Sequence, residues 1–268
     1  MADSYVELQY FDIALAALLI VVSAAISVAL RLGMERTLLL ASVRTVVQLL
    51  LVGFVLKTVF QFDQWVNVVA VMLLMTLIAG VTAVRRSHRR YPGMWLDTIL
   101  SIWITTWLIT SFALFVVVRG DHPWYQPQYA IPLLGMVLGN TLNGISLGLN
   151  ALTDTLASQR SQVETLLALG ATRWEAASGP VRQAVRTGMI PIINAMMIVG
   201  VVSLPGMMTG QLLSGTEPAQ AVRYQIVIMF LVASATSLGT VAVVLCSYRR
   251  LFNSQHQFLY HLVDGREL

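Results

Sequence analysis

Cysteine occurs once, at Cys246, so neither an internal disulfide nor a thiolate metal cluster can form. Lysine is equally rare. Lys57 stands alone in "VLKTV", and no glycine-rich G-x-x-x-x-G-K-S/T phosphate loop occurs anywhere in the chain. If ATP drives this protein, another chain must hydrolyse it. Charge is also scarce: only 11% of residues are charged, against roughly 25% in a soluble domain. That shortage excludes an ordinary water-soluble enzyme. The opening "MADSYVELQYFD" has acids but no base ahead of its apolar run, the reverse of a signal peptide, so no cleavage is expected.

What the chain has is hydrophobicity. Hydrophobic residues make up 57% of its 268 residues, with a mean hydropathy of +0.73. Crossing a hydrocarbon core of about 30 Å takes about 20 apolar residues. Runs of that length suggest an all-α integral membrane protein of seven transmembrane helices, at about 11–30, 37–60, 65–84, 96–118, 131–152, 180–204 and 222–246. No inverted repeat or linker divides the chain, which reads as one transmembrane domain over 1–268 with a short tail.

The net charge of +4 could suggest a nucleic-acid partner, but the location of the arginines argues against it. Arg31, Arg36, Arg85, Arg86, Arg89, Arg90, Arg160, Arg173, Arg182, Arg186, Arg249, Arg250 and Arg266 all fall on one side of the proposed membrane. By the positive-inside rule that side is cytoplasmic, with the N-terminus outside and the C-terminus inside. Arg119 and Arg223 fall on the other face, and Arg44 lies within a span.

Between the fifth and sixth spans, the loop 153–179 contains "SQVETLLALGATRWEAA". Ser161 and Glu164 fit a capping box, Gly170 fits a left-handed helix terminus, and Thr172 with Glu175 fits a second capping box. The pattern predicts a helix over about 162–169, too short to span. Its apolar side, Val163, Leu166, Leu167 and Leu169, needs a cover: the lipid boundary or a groove on a soluble partner.

"ETLLALGA" resembles the cytoplasmic loop of ABC transporter permeases, where a glutamate stands six residues before a glycine. Glu164 and Gly170 keep that spacing, while Thr165 and Leu166 replace the usual two alanines. "SVRTVVQLLLVGFVL", "IPLLGMVLGNTLNGISLGLN" and "SLPGMMTGQLLSGTEPAQAVRYQIVIMF" resemble the FetB-type iron-export permease family, which includes plant aluminium-tolerance proteins. The likeness covers most of residues 37–250. It implies a permease subunit without an ATPase motif of its own, in the cytoplasmic (inner) membrane, pairing with a FetA-type ATP-binding subunit. ATP and magnesium would then sit on that partner, with no cofactor in this chain. Glu164, Leu166, Leu167, Leu169 and Gly170 would form the coupling helix. A homodimer of this chain would create a shared pathway for iron or a related metal or metal complex.

Polar residues inside spans are functional candidates by default. Arg44 and Gln48 lie one turn apart on the second span, as a polar seam along the pathway or as an interhelical lock with Arg44 paired to Asp97 or to backbone carbonyls. On the fifth span Met136, Asn140 and Asn143 can share a face, while its glycines permit close helix packing. Met207 and Met208, in the "PGMMTG" turn, are outer-side candidates, and thioethers suit soft metals. No carboxylate or histidine falls mid-membrane, which disfavours a proton- or sodium-coupled carrier. It also leaves no hard-oxygen cage for a bare trivalent ion. A stand-alone channel or carrier and a membrane scaffold remain the alternatives.

Overall fold

The computed structural model describes residues 9–62, 64–117 and 124–263. The expected outer Arg119, the tail Arg266 and the last residue of the fourth run, Val118, lie outside them. Among the described residues the regular structure is helical. The chain divides into two compact units, Met1–Asp63 and Gln64–Leu268.

The first unit is a helical hairpin. α1 (Tyr10–Ala29) and α2 (Glu35–Phe62) are joined by a turn in which Arg31 and Gly33 have positive φ. Ser27 Oγ closes the turn, donating to Glu35 Oε2 and accepting from the Met34 N–H, each at 3.1 Å. Along both helices Leu, Val and Phe side chains stay exposed, as lipid-facing spans require.

The second unit contains α3 (Trp65–Arg85), α4 (Met94–Phe112), α5 (Pro127–Ser158), α6 (Arg160–Ala168), α7 (Arg173–Ile198), α8 (Gly206–Leu213) and α9 (Pro218–Leu251). A π-helical turn, Ala113–Val117, extends α4. α5 is the central helix, packed chiefly against α7 and α9. Glycine makes this packing close. A Cβ on Gly188 would lie 2.6 Å from the Gly144 carbonyl oxygen, and one on Gly144 would lie 2.6 Å from Thr236 Cγ2. Small residues at the crossing let the backbones touch, the usual means of helix association in lipid. Two buried hydroxyls turn back on their own helices: Thr236 donates to the Val232 carbonyl and Thr153 to that of Leu149. Each thereby meets its hydrogen-bond need without water.

Six helices, α1 to α5 and α9, are long and apolar enough to cross a membrane among the described residues. The expected sixth span, over 180–204, differs. α7 begins earlier, carries Arg173, Glu175, Arg182 and Arg186 and two internal prolines, Pro180 and Pro191, and ends at Ile198. Its charged first half dilutes the apolar second half. The "PGMMTG" segment, expected as a turn, is the start of α8, with Pro205 as its N-cap residue.

Candidate functional site: the arginine-rich end of the second unit

The loop 153–179 is more helical than its polarity suggests. α5 runs on to Ser158 and α6 starts at Arg160, with Gln159 ending one helix and preceding the next. The predicted first capping box is therefore corrected. Ser161 lies inside α6, and no side chain caps the helix start. Glu164 accepts from Arg160 Nε at 2.7 Å instead. The Arg160 guanidinium also lies over the Tyr260 ring, 4.0 Å from its centroid. Contact with glutamate raises the arginine's pKa further.

The helix end matches expectation. Gly170 has φ +91. Its N–H donates to the Leu167 carbonyl at 3.1 Å, and that of Ala171 to the Leu166 carbonyl at 3.0 Å. These two bonds make a complete Schellman terminus. The second capping box is present as well. The Thr172 N–H donates to Glu175 Oε2 at 2.7 Å, and the Glu175 N–H returns a bond to Thr172 Oγ1 at 3.3 Å. The Thr172 N–H, and after it the Thr172 hydroxyl, which also donates to Glu175 Oε2 at 2.8 Å, lower the Glu175 pKa. Val163 anchors α6, 1% exposed, while Leu166 and Leu167 are half-buried. Leu169 stands out at 80% exposure, and Trp174 in the first turn of α7 is exposed as well.

The C-terminal tail, absent from the sequence-level candidates, ties this region together. After α9 the chain reverses through an Asn253 turn, and Phe252 stacks on Phe258 with centroids 5.1 Å apart. His256 Nδ1 accepts from the Arg173 N–H at 2.9 Å, at the first residue of α7. The Val263 carbonyl accepts from Arg89 in the α3–α4 loop at 3.3 Å. One short segment thus touches that loop, α6 and α7.

Asp97 pairs with Arg250 of α9 within the second unit. Gly93 makes room for this pair: a Cβ there would sit 2.5 Å from the Arg250 guanidinium. Tyr91 lies beneath, its hydroxyl 2.7 Å from Ser247 Oγ and donating to Asp97 Oδ2 at 3.4 Å. Burial pushes the phenol's pKa far above its usual range.

The pathway candidates fall in both units. Arg44 and Gln48 are exposed on one face of α2 in the first unit. On α5, Met136, Asn140 and Asn143 share a face, and Asn150 and Asp154 continue it. The α3–α4 loop binds along this stripe. Arg86 donates to Asn143 Oδ1 at 2.8 Å, the His88 N–H to Asn150 Oδ1 at 3.1 Å, and Arg89 pairs with Asp154 at 3.2 Å. Asn140 donates to the Met136 carbonyl. The 143, 150, 154 spacing was available in the sequence as a sign that the polar face runs to the helix end. A cleft of about 790 Å³ opens here, lined by His88, Arg89, Arg90 and Asp154.

At the opposite end of α9, Met207 and Met136 line one small cavity of about 30 Å³. Met208 joins Met196 and Met229 in a separate cleft of about 530 Å³. Among the described residues no three histidine, cysteine or acidic side chains cluster as metal ligands.

Comparison with known proteins agrees with this reading at the family level. Residues 10–252 match the model of the uncharacterised protein family UPF0014. The UPF0014 membrane protein slr1647 of Synechocystis is 40% identical, covering 97% of this chain and 100% of that protein. The probable iron export permease protein FetB of Escherichia coli is 32% identical over 92% of this chain and 94% of its own length. The protein ALUMINUM SENSITIVE 3 of Arabidopsis thaliana is 31% identical over 93% and 90%. No solved structure matches. Its length, its apolar helices and these relatives together make the chain a multi-pass membrane protein that belongs to the UPF0014 family.

Proposed function

We propose that this chain is the permease subunit of an ATP-driven ABC transporter in the cytoplasmic membrane, exporting iron or a related metal or metal complex. It does no chemistry itself. A FetA-type ATPase binds ATP and magnesium, and two copies of this chain form the pathway. One observation carries the reading: α6 is a nine-residue helix with a Schellman terminus, followed at once by a capped helix, and it presents Leu169 at 80% exposure. A helix that transmits force needs defined ends, a fixed inner side and an apolar outer contact. α6 has Val163 buried and Arg160 held by Tyr260 on the fixed side, and Leu169 exposed at its end. The relative named probable iron export permease protein FetB supports the metal cargo.

The arginine-rich end then faces the cytoplasm, where an ATPase is available. A cysteine at exposed Ser254 should be labelled from the cytoplasmic side only. The deciding experiment is metal flux in sealed vesicles holding this chain and its ATPase. Flux that requires both chains and ATP is expected. Flux by this chain alone, without ATP, would make it a channel or carrier.

A further inference from the structure

The cleft formed by the end of α7, α8 and the start of α9 has an unusual lining. Met196, Met208 and Met229 line it from three separate helices, with apolar neighbours such as Leu204 and Phe230. All three methionines are half-buried, whereas Met197, one residue from Met196, is 75% exposed and lies outside the lining. Gln225 also lines the cleft, only 6% exposed, and its Oε1 has no hydrogen-bond partner. A buried amide oxygen without a donor is costly, and a site that binds something can supply what it lacks.

The residues named here restrict what that could be. Thioethers and an amide oxygen are neutral, so they cannot offset the charge of a divalent or trivalent ion stripped of water. The cost of stripping an ion rises steeply with its charge. A monovalent ion carries the smallest such cost, and thioether sulfur favours soft, low-valent metals. We propose that this cleft binds a soft monovalent metal ion, copper(I) or silver(I), through Met196, Met208 and Met229, with the Gln225 carbonyl as an oxygen ligand. That the ion is also cargo rests on the permease reading above; its binding does not.

The test uses the purified full-length chain, without any ATPase, titrated with silver(I). Cys246→Ser is the background, because a lone thiol would capture silver by itself. One silver ion per chain is expected. Met208→Leu should weaken binding at least tenfold, and Met208→Leu with Met229→Leu should abolish it. Leucine conserves volume at these positions, so folding should hold, checked by an unchanged elution profile and helical circular dichroism. Met197→Leu should bind like the parent. Silver absorption spectra should show sulfur neighbours that disappear in the double variant. Equal affinity in the parent and the double variant would overturn the site, as would equal displacement of silver by iron(II). Silver binding without silver flux would leave the site standing and refute only its role as a cargo site.

Discussion

The backbone N–H of Arg173 donates to His256 Nδ1 over 2.9 Å, joining the first residue of α7 to the C-terminal tail. A helix start leaves its first N–H groups without intrahelical acceptors. Here a side chain from 83 residues along the chain supplies one. His256 holds φ +58, a left-handed conformation that β-branched residues avoid. His256→Val should therefore lose the acceptor and strain the turn, while His256→Asn tolerates the backbone. Exchange of the Arg173 amide should speed up roughly five- to tenfold in the valine variant, the scale of one lost hydrogen bond. An unchanged rate would mean that the tail does not cap α7.

The same helix start should respond to pH through Glu175. Its carboxyl is held below the ordinary value of 4.5, first by the Thr172 N–H and then by the Thr172 hydroxyl. A pKa depressed in the folded state stabilises that state above the unfolded value, and the gain is lost as pH falls through the depressed one. The first turn of α7 should stay protected at neutral pH and loosen only below 4.5. Glu175→Ala should expose it at neutral pH and remove this part of the pH response. Amide exchange of residues 173–176 in the two proteins measures the difference.

Close packing of α5 on α7 gives a comparison among glycines. A Cβ at Gly188 meets the Gly144 carbonyl oxygen, which is backbone and cannot move aside, whereas one at Gly139 meets nothing within 4 Å. Gly188→Ala should cost about 1–3 kcal/mol as overpacking. Gly139→Ala should be close to neutral or stabilising. Thermal unfolding in detergent ranks the two, and equal melting temperatures would contradict the helix crossing described above.

The apolar runs carried most of the fold, because lipid demands long continuous helices whatever their partners. Six of the seven expected spans match long apolar helices, while the charges of α7 blurred the other. Gly170 and Thr172 were legible because caps are local chemistry. Ser161 misled for the same reason: a local motif is overridden when the preceding helix runs on, as α5 does to Ser158. The Asp97–Arg250 pair and the tail contacts join residues far apart in sequence, which no local pattern encodes. Both charges stand at arginine-rich helix ends, a hint that equal depth could have supplied.

Arg44 and Gln48 share an exposed face of α2, and the adjacent hydroxyls are already engaged. Ser42 donates to the Leu38 carbonyl and Thr45 to that of Ala41. Gln48 is the amide one turn from Arg44 on that face. Gln48→Leu removes a polar group from an exposed position, so helix α2 and expression should persist. If the seam lines the pathway, ATP-driven metal flux should fall several-fold in vesicles. Normal flux would assign the pair to packing.

The strongest constraint falls on the end of α6. Leu169 is 80% exposed, so its side chain contributes almost nothing to the fold of this chain alone. Leu169→Asp should leave thermal stability and membrane insertion unchanged. On an ATPase groove it would place a charge against apolar surface and weaken the complex severely. Gly170 acts through the backbone instead. At φ +91 with nothing within 4 Å of its Cβ position, Gly170→Ala meets strain but no clash. It should cost about 1 kcal/mol and shift the direction in which α7 leaves α6. The two variants therefore separate contact from geometry. Leu169→Asp should abolish ATPase pull-down and flux together. Gly170→Ala should retain measurable pull-down but uncouple ATP hydrolysis from flux. If both variants bind the ATPase and transport metal normally, α6 rests on the lipid boundary and transmits nothing.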